Sequence, residues 1–324
     1  MTQAGRKEPR KGETVSTEDD TVRVGGRTIA VSRPDKELFP DDGITKAELI
    51  DYYRAVSRPM LTHLRGRPLA MERHPDGYGG KAFFHKDVPD YFPDWIHRQE
   101  VTKEDGTVTM VVCDDAATLA YLANQACITP HPWLSRVDSL DCPDRLVFDL
   151  DPPGDDFETV RWTARKLGDL LTTELGLRPA VMTTGSRGLH LVLLLDRHTG
   201  FDTTRAFARQ VADLLAGRHP DRLTTEARKN KRRGRLYLDV QRNAYAQTSV
   251  APYAVRARPH APVATPLEWD ELDDPRIGPQ HWTLRTLPGR LSEHGAPWKG
   301  LSRCRRPLGP ARRRLDALLQ EDAS

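Results

Sequence analysis

The chain has 324 residues, 38% of them hydrophobic and 29% charged, with a formal net charge of +3. That is enough for one large domain or two ordinary ones with a sizeable core. No apolar run approaches the ~20 residues of a helical membrane span, and the charged N-terminus has no signal-peptide core. Cys113, Cys127, Cys142 and Cys304 are widely spaced, with no Cys-x-x-Cys pair. That argues against a zinc ribbon and for reduced thiols in a cytoplasmic protein.

Taken in chain order, residues 1–20 are charged and aperiodic, and a disordered tail is expected there. Residues 21–32 alternate around Gly25-Gly26 and predict a hairpin. Residues 33–43 read as a loop. Thr45 then opens a helix, with Glu48 placed to complete a capping box and Leu49, Tyr52, Tyr53 and Val56 at helical spacing. Strands are expected over 67–73 and 81–86, and a core-facing helix over 116–126. A buried strand begins at Leu146, and an amphipathic helix is predicted over 157–175. Short strands at 180–182 and 189–195, a helix over 203–215 and a strand over 235–241 follow. Residues 308–319 predict a basic helix. The mixed order points to an α+β (mixed α/β) fold with helices packed on sheets and two lobes dividing near 137–143.

Basic residues cluster locally. Residues 228–235 read Arg-Lys-Asn-Lys-Arg-Arg-Gly-Arg, and 299–314 is a second basic run without an acid. Such clusters suit a polyanion, with a solvated loop as the alternative.

The chemistry concentrates at three points. Asp149 and Asp151 end an apolar run and are stopped by Pro152-Pro153. On a strand, residues i and i+2 share a face, so the two carboxylates project together and call for a cation. Residues 183–190, Thr-Thr-Gly-Ser-Arg-Gly-Leu-His, lie between two short apolar strands. Their glycines, hydroxyl, guanidinium and imidazole suit a phosphate, although such a turn is also an ordinary hairpin. Asp239 ends a further apolar strand just after the basic cluster. Three carboxylates can hold two divalent ions for in-line phosphoryl transfer beside a turn that seats a triphosphate.

On these residues the chain resembles the archaeo-eukaryotic primase superfamily and, more narrowly, the polymerase domain of bacterial ligase D, the nonhomologous end-joining polymerase. The three motifs are matched by Asp149-Leu150-Asp151, by Ser186-Arg187-Gly188-Leu189-His190, and by Asp239. Narrower signals are 145–152 (Arg-Leu-Val-Phe-Asp-Leu-Asp-Pro), 250–256 (Val-Ala-Pro-Tyr-Ala-Val-Arg) and 263–272 with Glu268-Trp269. The resemblance spans about 32–274.

The resemblance implies a primase-polymerase fold: two sheet-containing lobes around an acidic cleft, with a catalytic domain over 21–278 and a basic, partly helical extension over 279–324. It implies that Asp149, Asp151 and Asp239 are catalytic and hold two divalent cations, manganese preferred or magnesium. It assigns nucleotide contacts to Ser186, Arg187, His190, His131, Arg256, Arg242 and Thr248, with a turn between prolines as the other reading of His131. It assigns DNA contacts to Lys36 and Lys46 at a recessed 5′ phosphate, to Phe83 and Phe84 on the template, and to Arg232 on a second DNA end, with Lys86 and Arg73 as further phosphate contacts. Adjacent strand residues face opposite ways, so one of Phe83 and Phe84 is expected in the core.

The implied activity is gap fill-in and end extension from NTPs, ribonucleotides preferred, or dNTPs. The implied substrate is double-stranded DNA with gaps or 3′ overhangs and a 5′ phosphate. Two motif departures stand out: Arg187 where lysine is common, and Glu72 where many relatives carry a basic residue. Ligase and nuclease motifs are not found in the sequence, so a stand-alone polymerase working with Ku and a separate ATP-dependent ligase is the expectation. A primase or short-gap filler of excision repair is an alternative. A non-catalytic DNA-end-binding scaffold is an alternative of another class.

Overall fold

The computed structural model describes residues 20–103 and 106–321. Residues 1–19 of the expected tail lie outside this range, and Asp20 begins the first strand. In chain order the elements are β1 (Asp20–Val24), β2 (Arg27–Val31), β3 (Glu37–Phe39), β4 (Ile44–Thr45), α1 (Lys46–Leu64), β5 (Pro68–Arg73), β6 (Phe83–His85), β7 (Arg98–Lys103), β8 (Gly106–Val112), α2 (Ala116–Asn124) and β9 (Cys127–Pro132). Then come β10 (Arg145–Asp151), α3 (Phe157–Asp169), β11 (Ala180–Thr183), β12 (Leu189–Leu194), α4 (Phe201–Arg218), β13 (Leu223–Thr224), β14 (Leu236–Asp239), β15 (Pro266–Leu267), α5 (Leu287–His294) and α6 (Leu308–Glu321).

Two sheets carry the structure. One is six-stranded, in the order β13-β14-β10-β12-β11-β15. The other is built on β5, which pairs with β6, β8 and β9, and β7 extends it beyond β8. The chain crosses between the sheets from Pro132 to Arg145. A bridge between Trp133 and Thr248, with the Ser249 and Ala251 amides donating to the Pro132 and Pro130 carbonyls, ties the sheets together. This seam places the ends of β10, β12 and β14 opposite β6 and β9.

Local chemistry accounts for the helices. Thr45 and Glu48 form the expected capping box, so α1 starts with two of its free amides satisfied. Leu49, Tyr52, Tyr53 and Val56 are its buried stripe. Asp156 caps α3, which runs into a π turn over Leu170–Glu174. The buried Arg161 reaches out of α3 to the carbonyls of Leu272, Asp274, Pro275 and Ile277 and fixes that loop. Helix α4 is longer than the 203–215 expectation.

Several strands went unpredicted: β3, β4, β7, β8, β9, β13 and β15. Strand β9 reads Cys-Ile-Thr-Pro-His-Pro, and proline argues against a central strand because it cannot donate. Here the prolines still accept: their carbonyls take the Ala251 and Ser249 amides. The expectation that one of Phe83 and Phe84 is core is overturned. Phe83 is half-buried and Phe84 is exposed, because β6 is an edge strand. Beyond residue 278 the chain packs into the same core through Trp282, Leu284, Leu287, Trp298, Leu308 and Leu315. No helix among the described residues is long and apolar enough to cross a membrane.

Candidate active site

The site is built by strand register. Asp149 on β10 has His190 of β12 as its cross-strand partner on one side and Asp239 of β14 on the other. Directly opposite residues on adjacent strands have neighbouring side chains, so three sequence-distant groups are set side by side. His190 Nε2 lies 3.5 Å from Asp149 Oδ1. Asp151, two residues on, is opposite Tyr237. Its Oδ1 accepts from Arg187 at 3.2 Å and its Oδ2 from Arg232 at 2.7 Å.

The register is locked by a residue the motifs do not name. Asn243, fully buried, accepts from the Val147 amide and donates to the Val147 and Val240 carbonyls. It fastens the middle of β10 to the turn that follows Asp239.

Burial pushes the Asp149 carboxyl up, but His190, Arg242 and Arg256 outweigh it and hold the pKa below the usual value. For Asp239 the balance reverses. Burial raises it and the Asp149 charge adds to that, against the pull of the Gln241 amide at 2.8 Å. Two neighbouring carboxylates of which one resists ionisation fit a site built for a cation. The donors are hard oxygens, the chemistry of magnesium or manganese. Among the described residues, however, no three of His, Cys, Asp and Glu converge into a ready cation cage. Asp151 faces two arginines instead.

Residues 183–190 form a tight turn knotted by Thr184. Its Oγ1 lies within hydrogen-bond distance of the Ser186 and Gly188 amides and donates to the Gly188 carbonyl. Gly188 is obligatory, since a Cβ there would sit 2.0 Å from the Leu150 carbonyl oxygen. Gly185 has φ +64°, and a Cβ would meet the backbone at Val263. Arg256 is clamped to the turn by a 2.7 Å bond to the Thr184 carbonyl. The turn therefore presses against the end of β10, which holds Ser186 and Arg187 beside the carboxylates.

A cavity of about 260 Å³ opens here. Asp149, Asp151, Ser186, Arg187, His190, His131, Arg256, Arg242 and Thr248 all line it, with Phe84 at its mouth. Asp239 lines an adjoining cavity that shares Arg242. His131 lies 2.9 Å from Glu72, whose other oxygen is 3.2 Å from His74. The Phe84 ring lies 5.1 Å from the His131 ring. Burial alone would raise the Glu72 pKa, but the two histidines hold it well below the usual carboxylate value. Glu72 thus positions His131, a role that no local sequence signal carries.

The other expected contacts fall into two groups. Arg232 is buried, lies over the Tyr237 ring at 4.1 Å and points at Asp151. Lys36 and Lys46 form a separate basic site at the start of α1. Lys36 pairs with Asp76 at 3.2 Å. Lys46 is buried, and its Nζ donates to the Ser32 carbonyl and hydroxyl. Burial, Arg33 and Lys36 bring its pKa down to about 8. Arg73 is engaged by Gln125 and Tyr91, and Lys86 is exposed just past β6.

Comparison with known proteins agrees with this geometry. Residues 45–298 match the family model for the LigD primase-polymerase domain. The chain is 35% identical over 270 residues to the multifunctional non-homologous end joining protein LigD of Mycolicibacterium smegmatis, covering 82% of this chain and 35% of that one. It is 32% identical to LigD of Pseudomonas aeruginosa, covering 90% and 35%. Against the bifunctional LigD of Bacillus subtilis the figures are 32% identity, 82% and 42%. The chain thus spans about a third of the length of the first of these relatives. The solved polymerase domain of Mycobacterium tuberculosis ligase D, in complex with DNA, superposes with a TM-score of 0.81 at 33% identity, covering 86% of this chain and 99% of that one. On the family match and the shared fold, the chain belongs to the LigD primase-polymerase domain family.

Proposed function

We propose that the protein is a DNA repair polymerase of the end-joining type. It would transfer a nucleotide from an NTP, ribonucleotides preferred, or a dNTP to a primer 3′ hydroxyl at gaps and annealed ends carrying a 5′ phosphate. The observation that carries this is the register of Asp149 between His190 and Asp239, with the Thr184-knotted turn set against it.

Asp149, Asp151 and Asp239 would hold the divalent cations the family uses, manganese in preference to magnesium. Bound there, such ions lower the charge barrier to in-line phosphoryl transfer. The chain's own residues do the rest. Arg187 and Arg256 bind the triphosphate oxygens, and Ser186 and the turn amides cradle them. Gln280, bonded to the Ser186 carbonyl, steadies that turn. His190 orients Asp149. Arg187 and Arg232 must swing from Asp151 before both its oxygens are free, so nucleotide and DNA phosphates compete with Asp151 for these guanidiniums. His131, set by Glu72, and Phe84 bound the base and sugar side. Lys36 and Lys46 take the 5′ phosphate at the α1 N-terminus, where the helix dipole adds to their charge. Residues 21–278 form the catalytic domain in this reading. Ku and an ATP-dependent ligase are the expected partners, in the cytoplasm.

The test is primer extension across a short gap, with and without a downstream 5′ phosphate, comparing NTPs with dNTPs and manganese with magnesium. Extension that depends on metal and is stimulated by the 5′ phosphate is expected. Undiminished extension by Asp149→Ala or Asp151→Ala would overturn the site assignment. Dinucleotide synthesis without a primer would favour a primase.

A further inference from the structure

The opposite end of β10 opens into a second, larger cavity of about 670 Å³, closed on one side by α1 and on the other by residues 288–305. Its charge is lopsided. Arg67, Arg136, Arg145 and Arg305 line it, and Asp144 is the one carboxylate among its lining residues. Asp144 is already shared: Arg67 lies 2.6 Å away, Arg136 2.8 Å and Arg305 3.7 Å. Arg145 is left without a carboxylate bond. It is only 6% exposed, donates to the neutral His63 Nδ1 at 3.1 Å, and keeps its Nε unpaired. Burial and the neighbouring Arg67 push the Arg145 pKa well below its ordinary value, and burial with Arg145 does the same to His63. A guanidinium does not shed its proton, so this environment is short of negative charge.

The wall facing the arginines is aromatic. His63 packs edge-on to Trp298 at 5.5 Å and tilted to Tyr253 at 6.0 Å. Trp298 Nε1 and the Tyr253 hydroxyl are buried donors with no partner. Tyr253 reaches this place from a left-handed backbone, φ +70°, which is costly for a bulky residue. Lys299 and Arg305, at the rim, lie beyond the residues matched by the family model.

We propose that this cavity is a binding site for a small di- or triphosphate-bearing ligand, its phosphates on Arg145 and Arg305 and a ring, where the ligand has one, against Trp298 and His63. Guanidiniums pair with phosphate oxygens bidentately, and the volume is that of an ordinary small-molecule site. The site is separate from the acidic cleft and does not rest on the proposed polymerase reading. Arg145 and Asp149 lie four residues apart on one strand, roughly 13 Å.

The test is binding of pyrophosphate, ATP and inorganic phosphate in EDTA, by calorimetry and by quenching of Trp298 fluorescence. ATP is expected to bind without metal and to raise the Tm by about 5 °C at roughly 100 times Kd. The double variant Lys299→Ala/Arg305→Ala should weaken binding by about tenfold or more. Arg187→Ala, in the acidic cleft, should leave it unchanged. Both arginine variants alter partly exposed side chains, and Trp298→Phe, which removes the indole donor and part of the stacking face, should weaken binding while abolishing the quench. The double variant should extend primers like the wild type. Equal affinity for pyrophosphate and ATP identifies the phosphates alone as the ligand chemistry, and tighter ATP binding identifies a nucleotide; either supports the site. No metal-free binding by any of the three, or binding lost in Arg187→Ala but kept in Lys299→Ala/Arg305→Ala, overturns it.

Discussion

The two ends of β10 are electrostatic opposites. At its C-terminal end, Asp149 and Asp239 are cross-strand neighbours of like charge, and Asp151 follows two residues on. At its N-terminal end, Arg67, Arg136 and Arg305 share one carboxylate, Asp144, and Arg145 has none. The difference shows in what each end tolerates. The acidic end is partly exposed and relieves itself through movable arginines, so its imbalance is a resource for chemistry. The basic end is buried, and Asp144 is structural there as well as electrostatic.

Substitutions should separate the two ends cleanly. The largest effect is expected at the acidic end. Asp149→Ala should cut extension by about 10³-fold or more, since the charge stabilisation lost is several kcal/mol. Stability in urea melts should change little, because relief of Asp239 offsets the lost attraction to His190, Arg242 and Arg256. If Asp149→Ala unfolds the protein as readily as a change at the other end, the contrast fails. Asp144→Ala is the counterpart. It strands buried Arg67 and half-buried Arg136, and a stability loss of about 3–5 kcal/mol is expected by urea denaturation, since one partner of the buried Arg67–Asp144 pair is gone.

Gly188→Ala acts between these extremes. Its Cβ would overlap the Leu150 carbonyl, so the turn must move off β10. A stability cost of about 1–3 kcal/mol is expected, together with a raised KM for nucleotide, measured by steady-state extension. The smallest effect sharpens the comparison at a third, basic site. The Lys46 pKa of about 8 lies below its ordinary value of 10.5. The folded state thus binds its proton less tightly than the unfolded one. Its cost to stability is fully present below pH 8 and is relieved as pH rises towards 10.5. Binding runs the other way: preference for a 5′-phosphorylated gap over a 5′-hydroxyl one should fall several-fold as pH rises through about 8. Fluorescence anisotropy of the two duplexes between pH 6.5 and 9.5 checks this, and an unchanged preference would remove Lys46 from the phosphate site.

What the sequence made legible follows from local chemistry. Strands β10, β12 and β14 are apolar runs that end in an acid or begin at a glycine turn, so the carboxylates and the phosphate turn could be read directly. The capping box at Thr45 was equally local. Strand β9 was hidden because its prolines argue against a strand, while their role as acceptors depends on a segment more than a hundred residues away. Strand β7 was hidden by its charged and polar residues at the sheet edge, and β8 by its polar first half. Glu72 and Asn243 act through space on residues far along the chain, so no spacing betrays them. The arginine cavity is the extreme case, since its members run from residue 55 to residue 305.

Asn243 carries a consequence for how the protein is made. Side chains alternate along a strand, so sliding β14 by one residue against β10 would turn Asp239 to the other face. Such a slipped chain could still bury most of its apolar surface and would pass as folded by compactness or helical content. The polar clasp on Val147 and Val240 tells the two arrangements apart. Recovered polymerising activity after refolding is therefore a quality check on strand alignment, one that a melting curve alone would miss.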